Sequence, residues 1–250
     1  MPYGLYISAE GARAQTTRLE SIAHNLANAD TVGFKQDLAR LQARHAEAIQ
    51  RGTDYAGSQS INDVGGGVQV RDTVTNFAPG NYERTGRPLD MAINGEGFFV
   101  VRKGDEDFLT RAGNFQLNPQ GQLVTERGYP VLGRDGSPIA LDSQQPYEVT
   151  ANGAILQGGE AREPAVVRPR SLGDLARAGE NLFYPLAETT PVPTEAARVQ
   201  SGTLERSGVK PLQMMTDMIA ASRAFEANIH LIQNQDHMLG SLIGRVLSSR

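Results

Sequence analysis

The two ends of the chain carry apolar residues at helical spacing, and the long stretch between them does not. Leu5, Ala12, Leu19 and Leu26 fall seven apart, and Ile22 and Ala29 continue a second row that Ser8 and Gln15 dilute. This is a narrow, moderately apolar heptad seam. It predicts a helix over residues 3–29, ended by Asp30-Thr31-Val32-Gly33. Leu38, Leu41 and Ile49 suggest a second helix from Lys35 to Gln50. At the other end Lys210-Pro211 opens the stronger helix, proline being tolerated in a first turn. Met218, Phe225, Ile232, Leu239 and Val246 repeat every seven residues, and Met215, Ile229 and Ile243 form a companion row broken by Ser222 and Asp236. A helix of ~38 residues would be ~55 Å long, too long for a packing helix of a compact domain. A sustained 3.5-residue seam asks for a partner helix, and the thin N-terminal seam cannot hold a helix alone. The simplest arrangement pairs the two ends with each other and with copies from other subunits. The expected assembly interface is therefore Leu5, Ala12, Leu19, Ile22 and Leu26 at one end. At the other it is Met215, Met218, Phe225, Ile229, Ile232, Leu239, Ile243 and Val246.

The middle reads as all-β. Residues 52–208 hold 22 of the 27 Gly and 11 of the 13 Pro, so no long helix fits there. Val68, Val70 and Val74 sit in a β-branched run, and Phe98–Val101 and Phe108–Thr110 flank Lys103-Gly104-Asp105-Glu106-Asp107, a hairpin by pattern. Asn118–Gly121 and Arg134–Pro138 read as turns. Ten of the 15 Phe and Tyr residues lie between Phe77 and Tyr184, which gives this region its own core. Residues 160–181 show a weaker pattern that assigns no element. The fold class expected is α+β, with N- and C-terminal coiled-coil-forming α-helices flanking a central all-β domain. Its parts are a helical segment at 1–50, a linker with a strand at 51–84, a β-domain at 85–200 and a helix at 201–250.

Charge and composition narrow the function. A net charge of -4, with no basic block, argues against nucleic acid as the main partner. No stretch approaches the ~18 apolar residues of a membrane span, and no secretory signal is expected at the N-terminus, where the first basic residue is Arg13. Cysteine is absent, which removes disulfides and thiolate chemistry. His24, His45, His230 and His237 make no metal-ligand spacing. Gly65-Gly66-Gly67 precedes a strand and not the Lys-Ser/Thr and helix of a phosphate loop, and Gly95-Glu96-Gly97 reads as a turn or bulge. Asp105-Glu106-Asp107 lacks the alternation of a calcium loop and reads as a solvated hairpin tip. No catalytic, cofactor-binding or metal residue emerges, so the expectation is a protein that is not an enzyme and has no cofactor.

Four segments carry a resemblance. Asn25-Leu26-Ala27-Asn28-Ala29-Asp30-Thr31-Val32-Gly33-Phe34-Lys35 is one, and Leu89-Asp90 with Gly95-Glu96-Gly97-Phe98-Phe99 lies in the second, Arg87–Val100. Thr110–Phe115 continues it, and Val199–Pro211 with Arg223-Ala224-Phe225-Glu226 closes the chain. Together they resemble the flagellar rod, hook and hook-associated protein family, with His24 standing where the family pattern has Asn. Asn25, Leu26, Ala27, Asn28, Thr31, Gly33, Phe34 and Lys35, with Leu89, Asp90, Gly95, Gly97, Phe98 and Phe99, are the motif positions. The length fits a rod protein and not the longer hook protein. Val209-Lys210-Pro211, Thr216–Ala220 and Gly133–Ile139 look most like the proximal rod type, with the distal type second. The resemblance implies a structural subunit exported without a cleaved signal, assembling into a helical tube that transmits torque across the periplasm. It implies partners in copies of itself, other rod proteins, hook or ring proteins and the flagellar export apparatus. It implies no nucleic acid and no membrane insertion. A coiled-coil secreted adhesin or needle component shares the layout and lacks the motifs.

Overall fold

The structure, a computed structural model, describes residues 3–45, 49, 51–55, 57–58, 65–142, 144–193 and 197–248. It comprises two compact units. The first gathers Met1–Ala27, Asp37–Asn76 and Lys210–Arg250; the second holds Asn28–Gln36 and Phe77–Val209.

The first unit is a helix pair with a β-hairpin. Helix α1 (Tyr3–Ala27) and helix α2 (Pro211–Ser248, 38 residues) pack along one another. They run antiparallel: Gly4 lies against Gln235 and Gly11 against Asn228, each pair seven residues from the next. A Cβ on Gly4 would meet Gln235 Nε2 at 2.7 Å, and one on Gly11 would meet Asn228 Oδ1 at 2.8 Å, so glycine admits two amide side chains into the seam. On α2 the covered positions are Met214 and Ala221, both buried, with Met218, Phe225, Asn228, Ile232, Gln235 and Leu239 half-buried. These alternate at spacings of four and three, a heptad seam.

The helix expected over residues 35–50 is not found. Strand β1 (Asp37–Ala43) stands there, antiparallel to β2 (Val68–Thr75), with Leu38 opposite Val74 and Leu41 opposite Val70. Residues 46–48 and 50 lie outside the described residues. The reason is tertiary. The Asn25 carboxamide donates to the carbonyl of Asp37 at 2.6 Å and accepts from its N–H at 2.7 Å, which fixes that residue in an extended pairing. The β-branched Val68–Thr75 run then supplies a ladder partner, and three apolar residues spaced for a helix do not outweigh it. Arg44, beyond β1, bonds the hydroxyl of Tyr6 at 2.7 Å and lies 3.7 Å from Glu10, both on α1.

In the second unit β3 (Tyr82–Arg84), β4 (Met91–Gly95), β5 (Phe98–Lys103) and β6 (Glu106–Thr110) are followed by the short pair β7 (Gln116–Leu117) and β8 (Leu123–Val124). A three-stranded meander of β9 (Glu148–Val149), β10 (Ile155–Gln157) and β11 (Glu160–Arg162) comes next. Then come β12 (Val166–Pro169), a 3-10 turn at Leu172–Asp174, β13 (Leu175–Gly179), β14 (Leu182–Pro185), β15 (Thr189–Pro191), β16 (Ala197–Ser201) and β17 (Thr203–Glu205). The largest sheet has the order β13-β14-β6-β5-β12-β15, while β16 pairs with β4 and β17 with β3. Residues 160–181, unassigned by pattern, thus supply strands to this sheet and to the meander.

The continuous apolar run Phe98-Phe99-Val100-Val101 is buried on both faces, as a run without alternation requires. Phe99 and Val101 join Met91, Ile93, Phe115, Leu123 and Val131 on one side; Phe98 and Val100 join Leu109, Leu132 and Phe183 on the other. Phe99 and Phe115 meet edge-on at 5.1 Å, and Phe77 meets Phe98 edge-on at 5.7 Å. Such geometries add to area burial. The β5–β6 hairpin is the one expected; at its exposed tip Arg102 pairs with Asp107 at 2.8 Å and Lys103 with Glu180 at 2.7 Å.

Candidate assembly site and signature cluster

Two arrangements bear on function: a set of uncovered apolar residues on α2, and a buried charge cluster around the first signature segment. The expected interface residues fall into three groups. Ala12 and Ile22 are buried. Leu5, Leu19 and Leu26 on α1 and Met218, Phe225, Ile229, Ile232 and Leu239 on α2 are half-buried. Met215 (53% exposed) and Ile243 (59%) face outward. Val246 is on α2, with its side chain outside the described residues. The companion row expected on Met215, Ile229 and Ile243 is therefore not the row that meets α1. That row is Met214, Ala221, Asn228 and Gln235, which pattern reading passed over because two members are amides and one is alanine. Leu212, Ile219, Leu231, Met238 and Leu242, each more than half exposed, add to the apolar surface of α2.

The signature segment closes on itself first. The Asn28 carbonyl accepts from the Thr31 N–H at 3.2 Å, and its side-chain oxygen accepts from the Thr31 hydroxyl at 3.2 Å. Gly33 has φ of 65° and lies against the Arg111 carbonyl, where a Cβ would come within 2.4 Å of the carbonyl carbon. Only glycine takes that conformation in that space without strain. Phe34 is buried beneath the Arg177 guanidinium, whose centre is 5.0 Å from the ring. Arg177 also donates to the Lys35 carbonyl at 2.5 Å, and the Asn181 side-chain amide donates to the Val32 carbonyl at 2.8 Å. Glu180 and Asn181 form the β13–β14 turn, both with positive φ (52° and 61°). That conformation costs a non-glycine residue roughly 1–3 kcal/mol. Here it is held by Lys103 and the Tyr129 hydroxyl on the Glu180 carboxylate, at 2.7 and 2.6 Å.

Lys35 is 1% exposed. Its ammonium donates to Glu205 at 2.6 Å and to the Ala78 carbonyl at 2.9 Å. Glu205, equally buried, also accepts from the Gly80 N–H at 3.0 Å and from Arg111 at 3.4 Å. Arg111 in turn donates to the carbonyls of Ile93 and Gly95 at 3.2 and 2.8 Å. Burial pulls the Lys35 ammonium below its usual range; Glu205 opposes that fall and Arg111 adds to it. Burial likewise pushes the Tyr82 phenol up, with Glu205 contributing. Asp90 is the other buried carboxylate of the motifs, bonded by Arg87 at 2.6 and 2.9 Å and by the Thr85 hydroxyl at 2.6 Å. Leu89, Phe98 and Phe99 belong to the core, and Gly95 and Gly97 make the tight turn between β4 and β5.

The Lys35 ammonium and the Glu205 carboxylate are bonded by protein groups, while Arg111 Nε is buried without a hydrogen-bond partner among the described residues. Among the described residues no group of side chains is suited to a metal ion. Arg111 and Glu205 lie inside the resembling segments without a stated role, and Arg177 and Asn181 in the stretch that pattern left unassigned. The signal at Arg111 and Glu205 was a charge at the end of a strand, after Phe108-Leu109-Thr110 and Thr203-Leu204.

Comparison with known proteins decides the family. Residues 5–35 match the family described as flagella basal body rod protein, and residues 92–159 match the flagellar hook protein FlgE/F/G D1 domain. Residues 200–245 match the C-terminal region of the flagellar basal body rod FlgEFG proteins. The flagellar basal-body rod protein FlgF of Caulobacter vibrioides is 32% identical over 98% of each chain. The chain belongs to the flagellar basal-body rod protein family. FlgF of Salmonella typhimurium is 32% identical over 96% of each chain, and FlgG of Bacillus subtilis is 30% identical over 96% of this chain and 97% of its own. This is a structural family, and its members are not enzymes. Each matched segment contributes one charge to the buried cluster: Lys35 from the first, Arg111 from the second and Glu205 from the third. No helix among the described residues is long and apolar enough to cross a membrane.

Proposed function

We propose that the chain is a structural subunit of the proximal rod, built into a helical tube that transmits torque across the periplasm. Its partners are copies of itself, other rod proteins, and the hook or ring proteins that adjoin the rod. It reaches its place through the flagellar export apparatus, without a cleaved signal.

The observation that carries this reading is the exposure of Leu212, Met215, Ile219, Leu231, Met238, Leu242 and Ile243 along one 38-residue helix. Exposed apolar surface on this scale marks a protein contact, and a repeated heterologous contact builds an open helical assembly. The proximal type is supported by Val209-Lys210-Pro211, Thr216–Ala220 and Gly133–Ile139. The test is deletion of the gene followed by imaging of basal bodies. The expected result is a rod missing from its membrane-proximal part outward. A rod lacking only its outer end assigns the distal type, and a complete rod overturns the proposal.

A further inference from the structure

Residues 197–208 are sewn to separate parts of the second unit. Strand β16 lies along β4 and β17 along β3. Between them Gly202 donates to the Asp90 carbonyl at 2.7 Å and accepts from the Thr85 N–H at 2.8 Å. Beyond them the Arg206 N–H bonds Asn81 at 2.8 Å. The same strap reaches the signature segment by three bonds. The Glu205 carbonyl accepts from the Gly33 N–H at 2.7 Å, the Phe34 carbonyl accepts from the Gly208 N–H at 3.1 Å, and the Glu205 carboxylate takes the Lys35 ammonium.

The charges on the two sides are not equivalent. Lys35 has one counter-charge, Glu205, and one neutral acceptor, the Ala78 carbonyl. Without Glu205 it is a buried cation with no anion beside it, which is far more costly than a pair. Glu205 without Lys35 keeps Arg111 and the Gly80 N–H. The signature segment therefore depends on the strap more than the strap depends on the segment.

We infer that the Lys35–Glu205–Arg111 cluster is a one-way latch: residues 28–36 seat only once the strap 197–208 is in place. The chain separation across the Lys35–Glu205 bond is 170 residues. A partial chain that lacks the strap thus leaves the segment following α1 loose, and seating of that segment reports a completed subunit. The inference stands on the cluster alone and does not require the proximal reading.

Hydrogen exchange on the full-length protein tests it, comparing the native chain with Glu205→Gln, Lys35→Met and the double variant. Glu205→Gln should speed exchange at residues 31–36 by about a hundredfold or more, while the β5–β6 hairpin stays protected. Lys35→Met should leave the β16–β17 strap near its native rate. The double variant removes the Lys35 ammonium and leaves Arg111 on the Ile93 and Gly95 carbonyls; it should restore protection at residues 31–36, even where Glu205→Gln alone fails to fold. The latch is overturned if Glu205→Gln leaves residues 31–36 protected. It is equally overturned if Lys35→Met loosens the strap as far as Glu205→Gln does, or if the double variant recovers nothing.

Discussion

The two units of this molecule solve the problem of burying apolar surface differently. In the β-unit the run Phe98–Val101 is covered on both faces, and Phe99, Val101 and Phe183 are inaccessible to solvent. In the helical unit, α2 covers one heptad seam with α1 and leaves seven large apolar residues more than half exposed. Its covered seam even admits Asn228 and Gln235 opposite glycines. A core that closes within one chain and a helix that does not are what a polymer subunit requires, since a fully self-satisfied helix would have nothing left to bind its neighbours.

That contrast can be broken most forcefully in the core. Phe99→Ala should cost about 3–5 kcal/mol, by lost transfer energy and the cavity left behind, and should lower the melting temperature of the β-unit accordingly. A loss under ~1 kcal/mol would mean that this core is not self-sufficient. Asn25→Ala comes next. It removes both bonds to the Asp37 backbone and should cost about 1–3 kcal/mol by leaving that backbone partly unsatisfied. Exchange should rise in β1 and β2, with the β5–β6 hairpin unaffected; equal loosening of both would blur the distinction between the units.

A smaller, pH-dependent effect belongs to the β13–β14 turn. Lys103, then Tyr129, hold the Glu180 carboxyl below its ordinary value of 4.5. A carboxyl with a depressed folded pKa stabilises above its unfolded pKa, and that contribution is lost as pH falls through the folded one. The native chain and Glu180→Gln should therefore differ slightly in melting temperature at neutral pH and converge in acid. A gap that widens in acid contradicts the assignment. The effect is small because the pair is exposed.

The helices, the β5–β6 hairpin and the turns were legible because each follows a local period or turn chemistry: Leu5–Leu26 and Met218–Leu239 repeat by sevens, and Asn118–Gly121 makes a turn between β7 and β8. What was not legible depended on distant partners. Leu38 and Leu41 read as helix because the strand that claims them begins at Val68, and because Asn25 fixes Asp37 from twelve residues upstream. The row of α2 that α1 covers was not legible, since only a glycine opposite makes Asn228 a seam residue. The signature's physical role was hidden for the same reason. The text around Lys35 shows a basic residue after Gly33-Phe34 and nothing of Glu205. Burial lowers the Lys35 pKa despite that partner, as the cost of taking a charge out of water requires.

The most direct test of the contrast places a charge on the uncovered face of α2. Met215→Asp and Ile243→Asp change residues that are 53% and 59% exposed, so each should alter monomer stability by within ~0.5 kcal/mol. In an assembled rod the same carboxylate would be buried and unpaired at every subunit, and assembly should fail. Thermal melting of the purified variants, paired with basal-body imaging of cells that carry them, is the measurement. Unchanged melting with absent rods is the predicted result. Complete rods built from both variants, at unchanged melting, would show that this face is not the one that subunits share.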